Sequence, residues 1–343
     1  MRRVFVAGGA GFIGSNFIRH LLRERPDVEV VNFDALTYAG NLDNLRDVAG
    51  DARYRFARGS VADRAAVLGA MRGCDAAINF AAESHVDRSI EDAADFIDTN
   101  VRGAHNVLAV ARDLGVGRVL HVSTDEVYGP ATREQPRREG DAFRPRSPYA
   151  ASKAAGDLMC AAFSETYGTP VIVARPANNV GPYQHPEKAV PLFVTNALDG
   201  EPLPVYGEGL QERDRLHVED CVRALLLLLE RGEPGEAYNI QADNHQPNID
   251  VARAILDLLD KPYGLIRFVD DRAGHDPCYW MDATKVRALG WAPSYDFARA
   301  IEATVRWYAD NRWWWERIKA GEYRAYYERQ YGARLAGGRR YED

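Results

Sequence analysis

The stretch VFVAGGAGFIG, residues 4–14, opens the chain with a short apolar run that leads directly into a glycine-rich turn. A helical pattern, Ile13–Arg25, begins within that turn. Gly8 allows a tight turn, Gly11 lets a ligand approach the backbone, and Gly14 lets the helix pack closely on the strand. The helix N-terminus offers free N–H groups and a positive dipole end to phosphates. The stretch therefore predicts a dinucleotide-binding βαβ unit.

Asp34 lies at the end of the second predicted strand, Glu29–Phe33, twenty residues after Gly14. In a dinucleotide-binding unit, a carboxylate at this place accepts hydrogen bonds from the hydroxyls of the adenosine ribose. The same carboxylate repels the 2′-phosphate of NADP. The sequence therefore predicts NAD, rather than NADP, as the cofactor.

Short apolar runs alternate with helical patterns through the first half of the chain. The predicted strands are Val4–Ala7, Glu29–Phe33, Tyr54–Ala57, Ala76–Phe80, Arg118–Ser123 and Val171–Ala174. The predicted helices are Ile13–Arg25, Arg64–Met71, Asp95–Leu114 and Ala150–Tyr167. This alternation predicts an α/β fold with a Rossmann-type doubly wound parallel sheet that is covered on both faces.

The pattern loosens after about Pro182, where loops rich in proline and glycine begin. We expect residues 1–182 to form an NAD-binding Rossmann domain and residues 183–335 to form a smaller C-terminal substrate-binding lobe. Tyr238–Ile240 is expected to return to the first domain as a later strand. Residues 336–343 are short and polar, which predicts a disordered tail.

Composition narrows the class of protein. Lys and Arg number 43 against 50 Asp and Glu, a formal net charge of −7. Such a charge disfavours nucleic acid or a membrane surface as a partner. No apolar run reaches the ~18 residues of a membrane helix, and the chain starts in a strand pattern rather than in a signal peptide. The four cysteines are far apart, so we expect a reduced, cytoplasmic protein without a metal site.

Polar and acidic residues follow the fifth predicted strand in the run STDEVYG, residues 123–129. Ligands bind at this edge of an open parallel sheet. Tyr149 and Lys153 share one face of a predicted helix. A lysine ammonium beside a tyrosine lowers the pKa of the phenol, so Tyr149 could act as a base near neutral pH. Together with the NAD site, these residues indicate a dehydrogenase-type enzyme.

Three runs extend this pattern to a known family: AAESHVDRS at residues 81–89, STDEVYG at residues 123–129, and NNVGPYQHPEK at residues 178–188. With the Tyr149 and Lys153 pair, they resemble the extended short-chain dehydrogenase/reductase superfamily and, within it, the dTDP-glucose 4,6-dehydratase family. The resemblance runs from residue 1 to about Gly332. It implies a lyase of deoxysugar biosynthesis that uses NAD and acts on dTDP-glucose.

The resemblance implies a role for each residue of a catalytic set, Thr124, Asp125, Glu126, Tyr149 and Lys153. Tyr149, helped by Lys153 and with Thr124 at the same 4-hydroxyl, removes its proton while hydride passes from C4 to NAD. Glu126 then removes the C5 proton. Asp125 protonates the departing C6 hydroxyl, which requires a raised pKa for Asp125. Hydride returns to C6, so we expect a tightly bound NAD that is regenerated in each cycle.

The resemblance also implies which residues line the two ligand sites. For the cofactor they are Gly8, Gly11, Phe12, Ile13, Gly14, Asp34, Leu36, Thr37, Ser60, Val61, Ala81, Ala82, Ser84, Thr99, Tyr149, Lys153 and Asn179. For the sugar nucleotide they are Ser84, Thr124, Asn178, Lys188, Pro204, Val205, Tyr206, Arg213, Asn248, Arg272 and His275. Arg213 and Arg272 match the positions that meet the substrate diphosphate, and planar guanidinium groups suit that contact.

Five positions depart from the family pattern. Ser60 stands where an aspartate usually meets the adenine amino group, and Val180 replaces a tyrosine. Arg215 and His217 replace the usual tryptophan and tyrosine, and Cys278 replaces an arginine. The last three changes lie near segments that line the nucleotide, so they leave the base and the hexose open.

Other interpretations of the same fold remain. A dehydratase of a UDP-linked sugar, a nucleotide-sugar 4-epimerase or a decarboxylase would share the NAD site, and so would a catalytically silent NAD-binding sensor. The adjacent carboxyl groups of Asp125 and Glu126 argue against the epimerase and the decarboxylase. The resemblance also implies a homodimer through the helices Asp95–Leu114 and Ala150–Tyr167, whose apolar stripes suit such packing.

Overall fold

Near-continuous apolar runs form the central strands of the computed structural model, which describes residues 1–341. The strands are β1 (Arg3–Ala7), β2 (Glu29–Asp34), β3 (Tyr54–Arg58), β4 (Ala76–Asn79), β5 (Arg118–Val122), β6 (Val171–Pro176), β7 (Asn179–Val180), β8 (Leu203–Tyr206), β9 (Glu212–Asp214), β10 (Leu216–His217), β11 (Ala237–Ile240), β12 (His245–Pro247), β13 (Ile266–Val269) and β14 (Arg339–Arg340). The helices are α1 (Phe12–Glu24), α2 (Arg64–Met71), α3 (Val86–Glu91), α4 (Ala94–Phe96), α5 (Ala104–Leu114), α6 (Pro148–Tyr167), α7 (Ala189–Asp199), α8 (Val218–Arg231), α9 (Asn248–Leu258), α10 (Thr284–Ala288), α11 (Phe297–Asp310), α12 (Arg312–Ala320) and α13 (Glu322–Gly337).

One sheet contains seven strands in the order β11-β6-β5-β4-β1-β2-β3, and each neighbouring pair is parallel. Successive side chains of β1 face opposite sides of this sheet. Val4 and Val6 pack with α1 and α8, whereas Phe5 and Ala7 pack with α2, α5 and α6. The predicted Rossmann-type doubly wound sheet is confirmed. The returning strand is confirmed as well, since β11 pairs with β6.

The predicted helix Asp95–Leu114 is interrupted in the structure. Ile97–Gly103 forms a π-helical segment between α4 and α5. Asn100 in this segment accepts a hydrogen bond from the Glu83 backbone N–H at 2.9 Å and donates one to the Ser152 hydroxyl at 2.8 Å. The wider turn thus places the Asn100 amide between α6 and the loop that follows β4. Short π-helical segments are often found near functional sites.

The C-terminal lobe packs its helices around a small sheet in the order β14-β13-β8. Tyr308, Trp314 and Trp315 are buried in its core together with side chains of α7 and α9. The Trp314 indole N–H donates to Asn44 Oδ1 at 2.7 Å, which ties α12 to the first domain. Among residues 1–341, no helix combines the length and the apolarity that crossing a membrane requires.

The end of the chain differs from its prediction as a disordered tail over residues 336–343. Arg339–Arg340 forms β14, which pairs antiparallel with β13. The Tyr341 hydroxyl accepts a hydrogen bond from Arg253 at 2.6 Å. The prediction is wrong up to Tyr341, because a polar composition does not reveal that the segment pairs with β13 or that Tyr341 contacts Arg253. Residues 342 and 343 lie outside the described residues.

Candidate active site

A cleft runs along the carboxyl ends of β1, β2, β4 and β5, where a doubly wound sheet binds its ligands. Three adjoining cavities lie along it, and each is named here after one lining residue: the Asp34 cavity, the Lys153 cavity and the Arg213 cavity. The first two share Gly8 and Gly11, and the last two share Tyr149. The cleft is therefore continuous from the end of β2 to the C-terminal lobe.

Most of the predicted site residues line this cleft. The Asp34 cavity is lined by Gly8, Gly11, Asp34, Thr37, Ser60, Val61, Ala81, Ala82 and Thr99. The Lys153 cavity adds Phe12, Ile13, Gly14, Ser84, Tyr149, Lys153 and Lys188. The Arg213 cavity adds Thr124, Glu126, Asn178, Asn179, Pro204, Tyr206, Arg213, Asn248, Arg272 and His275.

Three predicted residues are not among the lining residues of these cavities: Leu36, Val205 and Asp125. Leu36 has a left-handed φ of 55°, and its backbone N–H donates to Asp34 Oδ1 at 2.8 Å. It therefore contributes its backbone rather than its side chain. Val205 lies on β8 between two lining residues, and because side chains alternate along a strand it faces the core. Asp125 is 3% exposed, and its carboxylate contacts the hydroxyl of Thr124, which lines the Arg213 cavity.

The glycine-rich turn shapes the connection between β1 and α1. Gly8 has a φ of +74°, and a Cβ there would lie 2.5 Å from the Ala81 backbone nitrogen. A Cβ on Gly14 would lie 2.3 Å from the Gly8 carbonyl oxygen. The nearest atom to a Cβ on Gly11 is 3.4 Å away, so this glycine faces open space. Gly11 caps α1 without a side-chain hydrogen bond, which leaves the first N–H groups of the helix available to a phosphate.

Asp34 ends β2 and is buried at the wall of its cavity. Its Oδ2 accepts a hydrogen bond from the Ala10 backbone N–H at 2.9 Å, and its Oδ1 accepts the one from Leu36. Burial raises the pKa of Asp34, and the two backbone hydrogen bonds oppose that shift. Each carboxylate oxygen keeps a further acceptor position. The arrangement fits a pair of ribose hydroxyls.

Two adjacent carboxyl groups follow β5 in a 3₁₀ turn, Asp125–Tyr128, which is capped by Thr124. The Thr124 hydroxyl accepts a hydrogen bond from the Glu126 backbone N–H at 3.3 Å and donates to Asp125 Oδ1 at 3.0 Å. Burial, reinforced by the charge of Glu126, raises the pKa of Asp125 to about 7. This is the direction that the sequence predicts. Glu126 instead lines the Arg213 cavity, so the two neighbours have different surroundings.

Tyr149 and Lys153 lie in the first turns of α6. The Ser147 hydroxyl accepts a hydrogen bond from the Ala150 backbone N–H at 3.1 Å, and Pro148 occupies the first turn. Both features favour a helix that begins at this point. The start of α6 therefore places Tyr149 against the Lys153 and Arg213 cavities at once.

The electrostatics of this pair differ from the prediction. Lys153 Nζ donates to the Val122 carbonyl oxygen at 2.7 Å, and burial lowers the pKa of Lys153 to about 8. The pKa of Tyr149 is raised rather than lowered, because of burial and the negative charge of Glu126, while the Thr124 hydroxyl opposes the shift. The ammonium group points at the backbone of β5 and not at the phenol, which explains the difference.

The Arg213 cavity has a local charge unlike that of the whole chain. Lys188, Arg213, Arg215 and Arg272 all line it. Lys188 Nζ donates to the Ser84 carbonyl oxygen at 2.6 Å, and Arg213 Nη2 donates to the Asp276 carbonyl oxygen at 2.8 Å. Lys188 and Arg213 thus bond to neutral backbone oxygens, and the four cations outnumber the three carboxylates of the cavity, Asp87, Glu126 and Glu187. The cavity is therefore suited to an anionic ligand.

Several buried polar atoms in the Arg213 cavity have no hydrogen-bond partner among the described residues. They are oxygens and guanidinium nitrogens: Asp87 Oδ1, Ser123 Oγ, Asn178 Oδ1, Asn179 Oδ1, Gln184 Oε1, Arg215 Nε and Arg272 Nε. Buried polar groups nearly always have a partner. A ligand that offers hydroxyl or amide donors together with anionic oxygens would complement this set. A nicotinamide dinucleotide and a sugar nucleotide, side by side, have these groups.

Sequence reasoning missed part of the site on α13. Tyr331 reaches the Arg213 cavity. Its neighbour Gln330 donates from Nε2 to Asp87 Oδ2 at 3.2 Å and to the Tyr206 hydroxyl at 2.9 Å. Asp87 and Arg215, which also line the cavity, were not among the predicted site residues either. The tyrosines at 323, 326, 327 and 331 recur at helical spacing, and this pattern could have indicated a buried face of α13.

The fold and the cleft define a class of protein. That class is the NAD-dependent short-chain dehydrogenases/reductases. Its features here are the helix N-terminus after a glycine-rich turn, the carboxylate at the end of β2, and the set of Thr124, Tyr149 and Lys153. Within the described chain, no group of three or more His, Cys, Asp or Glu side chains could hold a metal ion. The chain belongs to the NAD dependent epimerase/dehydratase family, whose model matches residues 4–240.

Individual relatives narrow this class further. The chain is 47% identical to the dTDP-glucose 4,6-dehydratase of Neisseria meningitidis serogroup B, over 94% of this chain and 98% of that protein. The crystal structure of DesIV, a dTDP-glucose 4,6-dehydratase from Streptomyces venezuelae, superposes with a TM-score of 0.90 at 49% identity, covering 92% of this chain and 100% of that one. The UDP-glucose 4-epimerase of Thermus thermophilus, solved with NAD, gives a TM-score of 0.84 at 29% identity over 90% of this chain and 99% of that one. The resemblance to the dehydratases is the stronger one.

Proposed function

We propose that the protein is a dTDP-glucose 4,6-dehydratase, which converts dTDP-glucose to dTDP-4-keto-6-deoxyglucose and water in deoxysugar biosynthesis. The observation that carries this proposal is the pair of adjacent carboxyl groups after β5. Asp125 is buried with a pKa of about 7, whereas Glu126 faces the Arg213 cavity. Elimination of water across C5 and C6 needs one base and one acid, and this pair supplies both.

The residues of the Asp34 and Lys153 cavities fit NAD. Asp34 would accept hydrogen bonds from the adenosine ribose, the N–H groups at the start of α1 would bind the diphosphate, and Tyr149 and Lys153 would lie on the nicotinamide side. When bound, NAD takes hydride from C4 of the sugar and returns it to C6. Since the cofactor ends each cycle unchanged, a site that retains it serves the reaction better than one that exchanges it.

Oxidation at C4 depends on Tyr149, Thr124 and Lys153. The Tyr149 phenolate removes the proton of the 4-hydroxyl, and the Thr124 hydroxyl orients the same oxygen. Burial and the charge of Glu126 raise the pKa of Tyr149 in the free cleft, so the phenol first gives its proton to solvent, and the phenolate that results is a strong base. Lys153 holds the first turns of α6 on β5 through Val122, which fixes the position of the phenol.

Elimination depends on the two carboxyl groups. The new 4-ketone acidifies the proton on C5, and the Glu126 carboxylate removes it. The C6–O bond breaks as Asp125 gives its proton to the departing hydroxyl, which leaves as water. Hydride then adds at C6 while a proton returns to C5 from Glu126, which restores the carboxylate. Before the next cycle, Asp125 regains its proton from solvent and Tyr149 releases to solvent the proton that it took from the 4-hydroxyl.

The Arg213 cavity would hold the sugar nucleotide. Arg213 and Arg272 meet its diphosphate, Lys188 and Asn178 contact the sugar, and Tyr206 and Asn248 border the nucleoside. Residues 1–182 with β11 would form the cofactor domain, and residues 183–335 would form most of the substrate lobe. The enzyme would work in the cytoplasm.

The helices of the first domain also support a homodimer. Ile97, Leu158 and Tyr167 are 57%, 59% and 54% exposed, and all three lie on α6 or on the π-helical segment that contacts it. Large exposed apolar side chains on adjacent helices are typical of an interface. Light scattering during size-exclusion chromatography should give twice the mass of the chain, and a monomer would contradict this part of the proposal.

One experiment tests the reaction. The purified protein is incubated separately with dTDP-glucose and UDP-glucose, and the products are analysed by mass spectrometry. We expect the mass of dTDP-glucose to fall by one water and UDP-glucose to react far more slowly. An unchanged mass with an altered C4 configuration would identify an epimerase instead, and a preference for UDP-glucose would overturn the nucleotide assignment.

A further inference from the structure

Arg215 is a buried cation in the Arg213 cavity that the mechanism does not use. It lies between β9 and β10 and is 5% exposed. Its Nη2 donates to Asn248 Oδ1 at 2.5 Å, but its Nε has no acceptor among the described residues. It makes no ion pair within the described part of the chain, although charged groups are rarely buried without one.

The charges around Arg215 do not neutralise it. The Asp214 carboxylate is the nearest candidate, but its oxygens accept hydrogen bonds from the backbone N–H groups of Ala242 at 2.7 Å and Asn244 at 2.6 Å. Arg213 adds a second positive charge. Burial and Arg213 lower the pKa of Arg215 to about 9, so the guanidinium remains charged at neutral pH.

A second guanidinium in the same cavity, that of Arg272, pairs with a carboxylate but also has a buried N–H without an acceptor. Arg272 Nε is also buried without an acceptor, and its closest carboxylate contact is 3.5 Å from Nη1 to Asp87 Oδ1. The cavity is thus lined by two guanidinium groups, each with an N–H that lacks an acceptor. A ligand with several anionic oxygens would supply both acceptors. A diphosphate offers these oxygens, and guanidinium groups bind them with short, charge-assisted hydrogen bonds.

We propose that Arg215 is a further substrate-binding residue, which donates from Nε to an oxygen of the nucleotide diphosphate and completes a three-arginine site with Arg213 and Arg272. The inference rests on the proposed function for the identity of the nucleotide. Arg215 replaces the tryptophan of the family pattern, so this chain places one more positive charge on the diphosphate than that pattern does. Because the charge is unpaired before binding, Arg215 lowers the stability of the free protein and raises its affinity for the ligand.

The test measures dTDP and UDP binding to the NAD-loaded enzyme by calorimetry for the wild type and Arg215→Met. Methionine keeps the length and apolar volume of the aliphatic stem of arginine and removes the guanidinium with its charge. We expect the Kd for dTDP and for UDP to rise by the same factor, about tenfold or more. We also expect the KM for dTDP-glucose to rise with the Kd, and a melting temperature without ligand that is equal to or above that of the wild type.

Arg306→Met is the matched control, because Arg306 is exposed on α11 and pairs only with Glu302 among the described residues. It should bind both nucleotides as the wild type does. A Kd for dTDP within twofold of the wild type in Arg215→Met would overturn the proposal, and so would a loss for dTDP without one for UDP, because Arg215 would then contact the base. If Arg215→Met does not fold, Arg215→Lys decides in the same way, with an expected loss of about threefold to tenfold.

The two proposals can fail separately. Nucleotide binding is measured without turnover, so an enzyme that does not dehydrate dTDP-glucose but loses diphosphate affinity in Arg215→Met would contradict the proposed function alone. An enzyme that dehydrates dTDP-glucose with the same KM in the wild type and in Arg215→Met would contradict the role of Arg215 alone.

Discussion

The two ends of the cleft offer a diphosphate different kinds of hydrogen-bond donor. At the cofactor end, the N-terminus of α1 and the glycine-rich turn present backbone N–H groups, and Asp34 and Glu83 are the charged side chains of the Asp34 cavity. At the substrate end, Arg213, Arg215 and Arg272 present guanidinium groups. A backbone site is fixed by the fold itself, whereas a side-chain site depends on how distant segments pack.

The difference bears on what each end does. The cofactor is retained through each cycle, and a rigid backbone cradle suits a ligand that does not leave. The substrate must enter and its product must leave in every turnover, and long cationic side chains suit that exchange. Tyr149 stands between the two, since it lines a cavity on either side. Substitution of Tyr149, at the junction of the two ends, should therefore lower the rate of the reaction. Substitutions at either end should change the affinity for one ligand only.

The largest effect is expected at this junction, from Tyr149→Phe. Without the phenol, no group removes the proton of the 4-hydroxyl, so kcat should fall by about 10³-fold. Binding of dTDP and NAD should stay within about twofold of the wild type, because the ring remains in place. Stopped-flow absorbance at the reduced-nicotinamide wavelength and calorimetry measure the two effects.

Tyr167→Phe is the control for this substitution, since Tyr167 ends the same helix and is 54% exposed. It should leave kcat unchanged. A Tyr149→Phe enzyme that reduces its bound cofactor at the wild-type rate on addition of dTDP-glucose would show that another group is the base.

The next effect is expected from Asp125→Asn, with a fall of about 10²-fold in product formation. Oxidation at C4 and solvent exchange at C5 should remain, because Tyr149 and Glu126 are intact. In the wild type, Asp125 acts in its protonated form with a pKa of about 7, so elimination should slow as the pH rises through 7. The variant should lose that alkaline decline, which pH–rate profiles and deuterium exchange would record.

Stability gives a second measure of Asp125. Its folded pKa of about 7 exceeds the ordinary aspartate value of 3.8, so the folded state holds a proton that the unfolded state releases between these pH values. The free energy of unfolding should therefore fall as the pH rises from about 4 to 7. Asp125→Asn should flatten this decline, whereas Asp310→Asn, at an exposed position on α11, should keep it. An Asp125→Asn enzyme that forms product at the wild-type rate would contradict the acid assignment.

At the cofactor end, Gly11→Ala separates ligand approach from folding. Gly11 has a φ of −79°, which alanine adopts, and its Cβ would meet nothing closer than 3.4 Å. The variant should melt within about 2 °C of the wild type, but the methyl group would occupy the space over which a diphosphate lies. NAD affinity should fall by at least about tenfold, measured as bound NAD after purification and by calorimetry, while dTDP affinity stays the same.

Two further glycines serve as comparisons. Gly50→Ala, where a Cβ would have no neighbour within 4 Å, should change neither property. Gly14→Ala should instead destabilise the fold by about 2 kcal/mol, because its Cβ would lie 2.3 Å from the Gly8 carbonyl oxygen. If Gly11→Ala retained NAD as the wild type does, the cofactor diphosphate would have to lie elsewhere.

The same contrast explains what could be predicted from the sequence. The glycine-rich turn and Asp34 lie within the first 34 residues, so the pattern itself specifies the geometry. The substrate end could be predicted only residue by residue from the family. Packing between segments far apart in the chain determines three features that the sequence did not show. They are the direction of the Lys153 side chain, the lack of an acceptor for Arg215 Nε, and the position of Tyr331 in the lining of the Arg213 cavity. The π-helical segment Ile97–Gly103 escaped prediction because one extra residue per turn barely alters the apolar pattern of a helix.

The smallest effect is expected at the substrate end from Gln330→Met on α13. Gln330 and Tyr206 both donate hydrogen bonds to Asp87 Oδ2, at 3.2 Å and 2.9 Å, and Asp87 in turn faces Arg272. Loss of the amide should loosen Asp87 and with it the Arg272 guanidinium that we propose for diphosphate binding. KM for dTDP-glucose should rise by about threefold with kcat unchanged, in keeping with one neutral hydrogen bond.

Steady-state kinetics measure this split between KM and kcat, and Glu328→Met on the same helix is the control, because Glu328 is exposed and pairs with Arg324. NAD binding should be equal in both variants, since α13 supplies a lining residue to the Arg213 cavity alone among the three cavities. An equal loss of NAD and dTDP affinity in Gln330→Met would mean that α13 stabilises the whole cleft. The two ends would then be coupled through the C-terminal helix rather than independent, and the backbone cradle would depend on distant packing as much as the arginine site does.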